Sequence, residues 1–400
     1  MAWENELMND IEHLKLRSNV YVGVGAIQKI DSILEEMKGK GVKSVLVVSD
    51  SVAYKASGAW DTVEPALKKH GLKYAVFEGV KPNPDYHVFD AGAKAGQAID
   101  ADLVIGIGGG SSIDSAKFIS TMILYPGRSS RELVMDGWWP DKAGLPIIAV
   151  NLTHGTGTEG NAGAAITIPE INFKPGFWQP SWYPTYSIDD AKLMSSMSRN
   201  QTVWTTMDAF THGVEAAFAG IATPMSVTYA ADVVYFINKY LPKVLEDPKD
   251  YKSRHFLAYA ALIGGQAFEQ GMLCFPHNLE HPLSAINFEI PHGLGLAVVF
   301  PPCLKLVYPY KAKTIAHVLK PMMPNLKGVP EEAQEVADFV ENWFRSFGVT
   351  QKLGDLGFSK GDIPRLTELA MEMGERTGML AFSPMTVDKK MVAELYEACF

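Results

Sequence analysis

The sequence predicts an α/β domain, built on a parallel sheet, over residues 1–190 and an all-helical domain over residues 191–400. Strand-like and helix-like segments alternate through about the first 150 residues, which signals a parallel α/β sheet. From about Asn200 onward the β-branched runs fade, and helical periodicity takes over in Ala- and Leu-rich stretches such as Phe256 to Phe268 and Glu331 to Phe347. The length, 400 residues, exceeds what one hydrophobic core usually organises.

In order, a short strand-like stretch from Val20 to Val24 leads into a helix-like Ala26 to Lys38, and the glycines between them read as a turn. Ser44 to Asp50 is a continuous apolar, β-branched run of the kind buried on both faces of a sheet, and it ends in an acid. A helix-like Asp61 to His70 precedes a strand at Tyr74 to Phe77, the Pro-Asn-Pro turn around Asn83, and a further helix from Tyr86 to Ile99. Strands are expected at Leu103 to Ile107 and Leu145 to Val150, with a Pro- and aromatic-rich loop at Phe173 to Tyr186. In the helical half, Pro301-Pro302 and Pro321 to Pro330 read as punctuation, and Pro282 predicts a kink beside His281 because it removes a backbone N–H.

Composition narrows the function. A net charge of −9 with no Lys/Arg cluster argues against nucleic acid or an anionic membrane as partner. Three well-separated cysteines, Cys274, Cys303 and Cys399, make neither a disulfide framework nor a CxxC site, and they suit a reducing cytoplasm. The acidic N-terminal segment has no apolar stretch of a signal peptide, and no apolar run reaches the roughly eighteen residues that span a bilayer.

Two motifs carry chemistry. The stretch Cys274 to Gly293 holds three of the ten histidines, with His277 and His281 four apart and His292 in a Pro-His-Gly turn. Upstream, Asp208, His212 and Glu215 share a helical face at i, i+4 and i+7. Imidazoles set in apolar sequence need partners, and a shared divalent cation such as Zn²⁺ or Fe²⁺ satisfies several of them together. The second motif is Gly106-Ile-Gly-Gly-Gly-Ser-Ser-Ile-Asp-Ser-Ala-Lys117, directly after a strand. Its glycines let a phosphate approach the backbone, and Ser111 or Ser112 is placed to cap a helix whose free N–H groups favour an anion. The spacing is neither G-x-G-x-x-G nor a Walker A loop. Asp50, at the end of an earlier strand, is placed to accept from a ribose 2′-hydroxyl and to repel a 2′-phosphate. The loop Asn151 to Glu159, rich in glycine and threonine, sits where a parallel strand presents donors to a ligand.

Taken together, the segments Gly108 to Lys117, Gly155-Thr-Gly-Thr-Glu159, Met207 to His212, and His277…His281-Pro-Leu…Pro291-His292-Gly resemble the iron-containing (group III) alcohol dehydrogenases. The resemblance runs from Val20 into the last hundred residues. It implies a dehydroquinate synthase-like architecture, with NAD on the N-terminal domain, NADP being disfavoured, and Fe²⁺ or Zn²⁺ in the cleft between domains. It assigns the metal to Asp208, His212, His277 and His292, and leaves His281 as an unligated catalytic histidine beside the nicotinamide. Gly109, Gly110 and Ser111 fall to the pyrophosphate, and Asn83, Gly108, Asp114, Thr153, Thr156 and Lys174 are further cofactor-binding candidates. Where the family usually has Pro-Thr-Thr-Ala-Gly-Thr-Gly-Ser-Glu, this chain has Asn-Leu-Thr-His-Gly-Thr-Gly-Thr-Glu, so His154 replaces an alanine; Ser284 stands at a usual glycine.

The expected activity is hydride transfer between a primary, short-chain alcohol or aldehyde and NAD(H). A lyase acting on a phosphorylated sugar acid and a glycerol or 1,3-propanediol dehydrogenase are the alternatives. The first alternative would want several Lys and Arg for phosphate and carboxylate, and the motifs supply little beyond Lys174. The resemblance also implies a homo-oligomer.

Overall fold

A computed structural model describes residues 12–400; the acidic segment weighed above as a signal peptide lies outside them. The strands are β1 (Glu12–Lys15), β2 (Asn19–Val22), β3 (Ser44–Val48), β4 (Lys73–Phe77), β5 (Leu103–Gly108), β6 (Ile147–Asn151), β7 (Gly163–Ala165), β8 (Gly176–Trp178) and β9 (Tyr186–Asp189). Between them run helices α1 (Lys29–Gly39), α2 (Ala53–Ala56), α3 (Trp60–Lys69), α4 (Tyr86–Gln97), α5 (Gly110–Met122) and α6 (Ser130–Met135). After β9 the chain is helical: α7 (Ala191–Met194), α8 (Arg199–Phe218), α9 (Pro224–Glu246), α10 (Tyr251–Gly271), α11 (Phe275–Ile286), α12 (His292–Leu319), α13 (Ala333–Ser346), α14 (Ile363–Thr377) and α15 (Lys389–Ala398).

Among the described residues the main sheet has the order β1-β2-β9-β6-β5-β3-β4, parallel except for the β1–β2 pair. The predicted parallel α/β domain and helical C-terminal half are therefore both present. All five residues of β3 are buried, as the unbroken apolar run requires of a strand covered on both faces. Strand order reverses between β3 and β5, and ligands of open α/β sheets gather beyond the carboxyl ends at such a point. Ser49 bridges it by donating from Oγ to Ile107 O at 2.7 Å. Register brings Gly108 beside Asn151 and Asn151 beside Asp189, so the carboxyl ends of β5, β6 and β9 are level.

The chain forms two compact units, one from residues up to Ile166 with Gly176–Arg199 and Pro242–Leu262, the other from Thr167–Pro175, Asn200–Leu241 and Ile263–Phe400. The division does not fall at a single point of the chain.

Several local expectations are corrected. The Phe173 to Tyr186 stretch contains β8, which pairs antiparallel with β7. Glycine and alanine in β7 hide that strand from propensity, and the register sets Gly163 against Trp178, whose ring occupies the space a Cβ would need. Pro301 and Pro302 lie inside α12 without breaking it; the interruption comes at Lys311 (φ −134°, ψ 26°), two residues after Pro309. Helix α11 likewise continues as one element through Pro282 to Ile286. By length and composition α12 is apolar enough to cross a bilayer, contrary to the reading of the sequence, and 72% of its apolar window is buried within the protein, as in a core helix.

Candidate metal centre and nucleotide cradle

The candidate nucleotide cradle comes first in the chain. Helix α5 begins with Gly109 in extended conformation at its N-cap and no side-chain cap, so its first N–H groups are left for an anion. Ser111 and Ser112, expected as caps, instead lie within the first turn of the helix. The glycines answer to close approach: a Cβ on Gly109 would come within 2.8 Å of Thr153 Cγ2, and one on Gly110 within 2.5 Å of Thr156 Cγ2. Gly108 also takes φ +153°, a conformation that favours glycine. The two loops therefore interlock, with Gly109, Gly110 and Ser111 half-buried beside the loop that carries Thr153 and Thr156.

The other residues expected at the cofactor have varied surroundings. Asp50 Oδ1 accepts from Val52 N and Ala53 N at 2.8 and 2.7 Å, at the entry to the short helix α2. Asn83 holds the left-handed conformation (φ 50°) in its turn, which asparagine tolerates. Asp114 accepts from Thr158 Oγ1 (2.7 Å) and Ala165 N (2.9 Å), which makes it a fastening of the following loop. Lys174 belongs to the other compact unit, where its Nζ donates to Ser284 Oγ at 2.8 Å and lies 4.0 Å from Glu280 Oε2.

Beneath the cradle lies a buried polar layer that the motifs did not announce. Lys117 Nζ donates to Thr158 O, Thr158 Oγ1 and Gly163 O at 2.6–2.7 Å. Glu159 is fully buried with no partner for either carboxyl oxygen among the described residues, and burial holds its carboxyl up at about 7. Asp189 accepts from Asn151 Nδ2 at 2.9 Å; burial, then the nearby Glu159, raises its carboxyl well above the usual range. His154 is buried beside Arg254, whose Nη1 stands 3.4 Å from its Nε2, and burial and then that charge lower the imidazole to about 3.

The metal candidates lie together in the second unit. Helix α8 presents Asp208, His212 and Glu215, α11 presents His277, Glu280 and His281, and His292 is the first residue of α12 after Pro291 at its N-cap. Donor atoms of Asp208, His277 and His292 all lie within 4.8 Å of one another, as do those of Glu280, His281 and His292. His212 Nε2 is 3.4 Å from Asp208 Oδ1, and its ring stacks on His277 with centroids 4.8 Å apart. Gly293 permits this convergence: a Cβ there would run into the carbonyl oxygen of Trp204 on α8 and reach 3.2 Å from Asp208 Cβ.

Carboxylates stand behind two of the imidazoles. Glu215 Oε2 faces His277 Nδ1 at 2.5 Å while its Oε1 accepts from Cys274 N, and Glu280 Oε2 faces His292 Nδ1. Burial lowers the His277 pKa, and the charge of Glu215 and the hydrogen bond to it more than offset that, leaving a net rise. Burial, then the Lys174 charge, holds His281 and His292 well below the ordinary histidine range. His277 Nε2 is buried with no partner among the described residues. An orphaned ring nitrogen beside a carboxylate and further imidazoles is the donor set a borderline divalent cation takes, so these residues fit a metal.

Residues 18–191 match the family described as iron-containing alcohol dehydrogenase, and residues 202–400 match its C-terminal family. The chain belongs to the iron-containing alcohol dehydrogenase family. It is 44% identical, over the full length of both chains, to the long-chain primary alcohol dehydrogenase AdhA of Thermoanaerobacter ethanolicus. It is 28% identical to the NAD-dependent methanol dehydrogenase of Bacillus methanolicus, over 88% of this chain and 91% of that one. Among solved structures, the NADH-dependent butanol dehydrogenase A of Thermotoga maritima superposes with a TM-score of 0.88 at 29% identity, covering 98% of this chain and 99% of the other.

Membership makes this iron-type protein an alcohol dehydrogenase acting on a small-molecule alcohol, and it supports NAD and a metal as cofactors. Sequence spacing pointed to Asp208 and the histidines that the fold brings together, but not to Glu280, and it took Glu215 only as a further group on the Asp208 face. What marks Glu280 is burial: it lies in a helix buried from Phe275 to Ala285, where an acid must have a partner, and spacing alone does not show this.

Proposed function

We propose that this alcohol dehydrogenase interconverts linear primary alcohols and aldehydes with NAD(H), favours long alkyl chains, and holds a single divalent cation, iron in the cell, through Asp208, His212, His277 and His292. The convergence of Asp208, His277 and His292 donor atoms within 4.8 Å carries this reading. When bound, the cation supplies Lewis acidity to the substrate oxygen and the nicotinamide gives or takes the hydride. The rest is the work of this chain's own side chains. Gly109, Gly110 and Ser111 receive the pyrophosphate on the uncapped start of α5. Asp50 faces the ribose and disfavours a 2′-phosphate, which supports NAD over NADP. His281, buried and kept neutral by burial and Lys174, accepts the alcohol proton at a ring nitrogen and passes it toward solvent. Chain length follows the 44% identical relative, named for long-chain primary alcohols.

The test is metal analysis of wild type and Asp208→Asn, joined to NADH and NADPH oxidation with aldehydes from acetaldehyde to dodecanal. One metal per chain, lost in the variant together with activity, and turnover rising with alkyl length, are expected. Activity retained without metal, or NADPH preferred, would overturn the proposal.

A further inference from the structure

Resting on the reading that Asp208, His212, His277 and His292 hold a metal, we infer that Glu215 and Glu280 are positioning residues that lock His277 and His292 in the Nδ1–H tautomer and so aim both Nε2 atoms at the cation. Three features converge on this. Each carboxylate is fully buried, where an unpaired charge is costly, so each must find a strong partner. Each meets the Nδ1 side of its ring, and on the far side of one of them His292 Nε2 stands 3.9 Å from Asp208 Oδ1. A carboxylate accepts only, so the proton of the neutral ring must sit on Nδ1, which leaves Nε2 as the lone-pair donor. His277 Nε2, buried without a partner among the described residues, is the atom that this arrangement presents.

The two acids are held by different means. Glu215 is fixed by the backbone: Oε1 accepts from Cys274 N at 2.5 Å, and Cys274 is the N-cap of α11, so one carboxylate positions both the helix start and the ring one turn in. Glu280 is fixed by charge and by space. Lys174 Nζ lies 4.0 Å from its Oε2 and is tethered to Ser284 by donating to its Oγ at 2.8 Å. The missing side chain of Gly295 makes the room, since a Cβ there would come within 2.8 Å of Glu280 Oε1. Glu280, His281 and His292 also lie close enough to form a donor set of their own. With Glu280 already committed to His292 Nδ1, its role is behind the ring.

The test uses full-length metal-free protein, Co²⁺ as probe, and histidine labelled with ¹⁵N. In wild type the ring shifts of His277 and His292 should show protonated Nδ1. Glu280→Gln should release His292 into a tautomer mixture while His277 stays fixed, and Glu215→Gln should do the reverse. Co²⁺ affinity should fall about 10- to 100-fold in each, the usual cost of losing such a support, with the thermal midpoint of the metal-free variants staying near wild type. Asp208→Ala, as control, should lose Co²⁺ binding itself. Wild-type rings protonated at Nε2, or variant affinities within twofold of wild type, overturn the inference while the metal reading stands. Abolition of binding in Glu280→Gln with the tautomers unchanged makes Glu280 a ligand and also overturns it. Wild type taking up no Co²⁺ sinks both.

Discussion

His154 offers a quantitative test of the buried layer under the glycine turn of α5. In the folded protein, burial and the neighbouring Arg254 guanidinium lower its pKa from 6.5 to about 3. The unfolded chain takes up a proton as pH falls through 6.5, and the folded protein refuses one until about 3. A depressed folded pKa means stability present above 6.5 and lost progressively as pH falls toward 3. Each pH unit in that window costs about 1.4 kcal/mol, so the drop from pH 6.5 to 5 removes about 2 kcal/mol. His154→Ala installs the residue usual in the family and should abolish that part of the acid sensitivity. It should also lower stability at neutral pH, because it opens a cavity beside Arg254. The assay is urea unfolding of both proteins at half-unit steps between pH 7.5 and 5, following stability as well as midpoint. His255, held at about 4 by burial, contributes to both curves, so the difference between them isolates His154. Parallel curves for wild type and variant would refute the reasoning.

Glu159 titrates in the opposite sense. Its folded carboxyl, raised by burial to about 7, adds stability that is complete below the ordinary 4.5 and lost as pH rises through 7. Glu159→Gln should therefore gain on wild type between pH 4.5 and 7 in the same unfolding assay, with a constant gap above. Gly293→Ala drives a methyl into the Trp204 carbonyl, and overpacking of that kind costs about 1–3 kcal/mol; calorimetry should show a lowered midpoint and chelator competition a weakened metal site, and wild-type values in both would refute the close packing. Gly110→Ala pushes on Thr156 Cγ2 from 2.5 Å, so NADH affinity by fluorescence titration should fall severalfold while metal content stays constant.

Most of the fold was legible because its strands are unusually plain. Ser44–Val48 and Leu103–Gly108 are buried at every position, and such runs declare themselves by composition alone. The antiparallel pairing of β7 and β8 stayed hidden because glycine and alanine carry no strand signal and the pair is held by Trp178 lying over Gly163. The candidate metal cluster was legible to the extent that helical spacing groups Asp208 with His212 and His277 with His281. Nothing in spacing says which acid stands behind which ring. Glu280 meets His292 across twelve residues, and Glu215 meets His277 across sixty-two, and only the packing of α8, α11 and α12 brings them together. Lys174 was expected at the cofactor only through the family resemblance, and its contacts with Ser284 and Glu280 could not be read from the chain.

The segment Pro242–Leu262 has a practical consequence for anyone dissecting or recombining this enzyme. It lies deep in the helical half of the polypeptide yet contributes Arg254 to His154, Ala258 to Met194 and Met197, and Leu262 to Val20 and Val22. A fragment ending near residue 190 would keep the whole sheet but lose these partners, leaving His154 without its guanidinium and a patch of β2 bare. Chimaeras between homologues should therefore exchange residues 242–262 together with the amino-terminal half, because the two stretches pack as one unit.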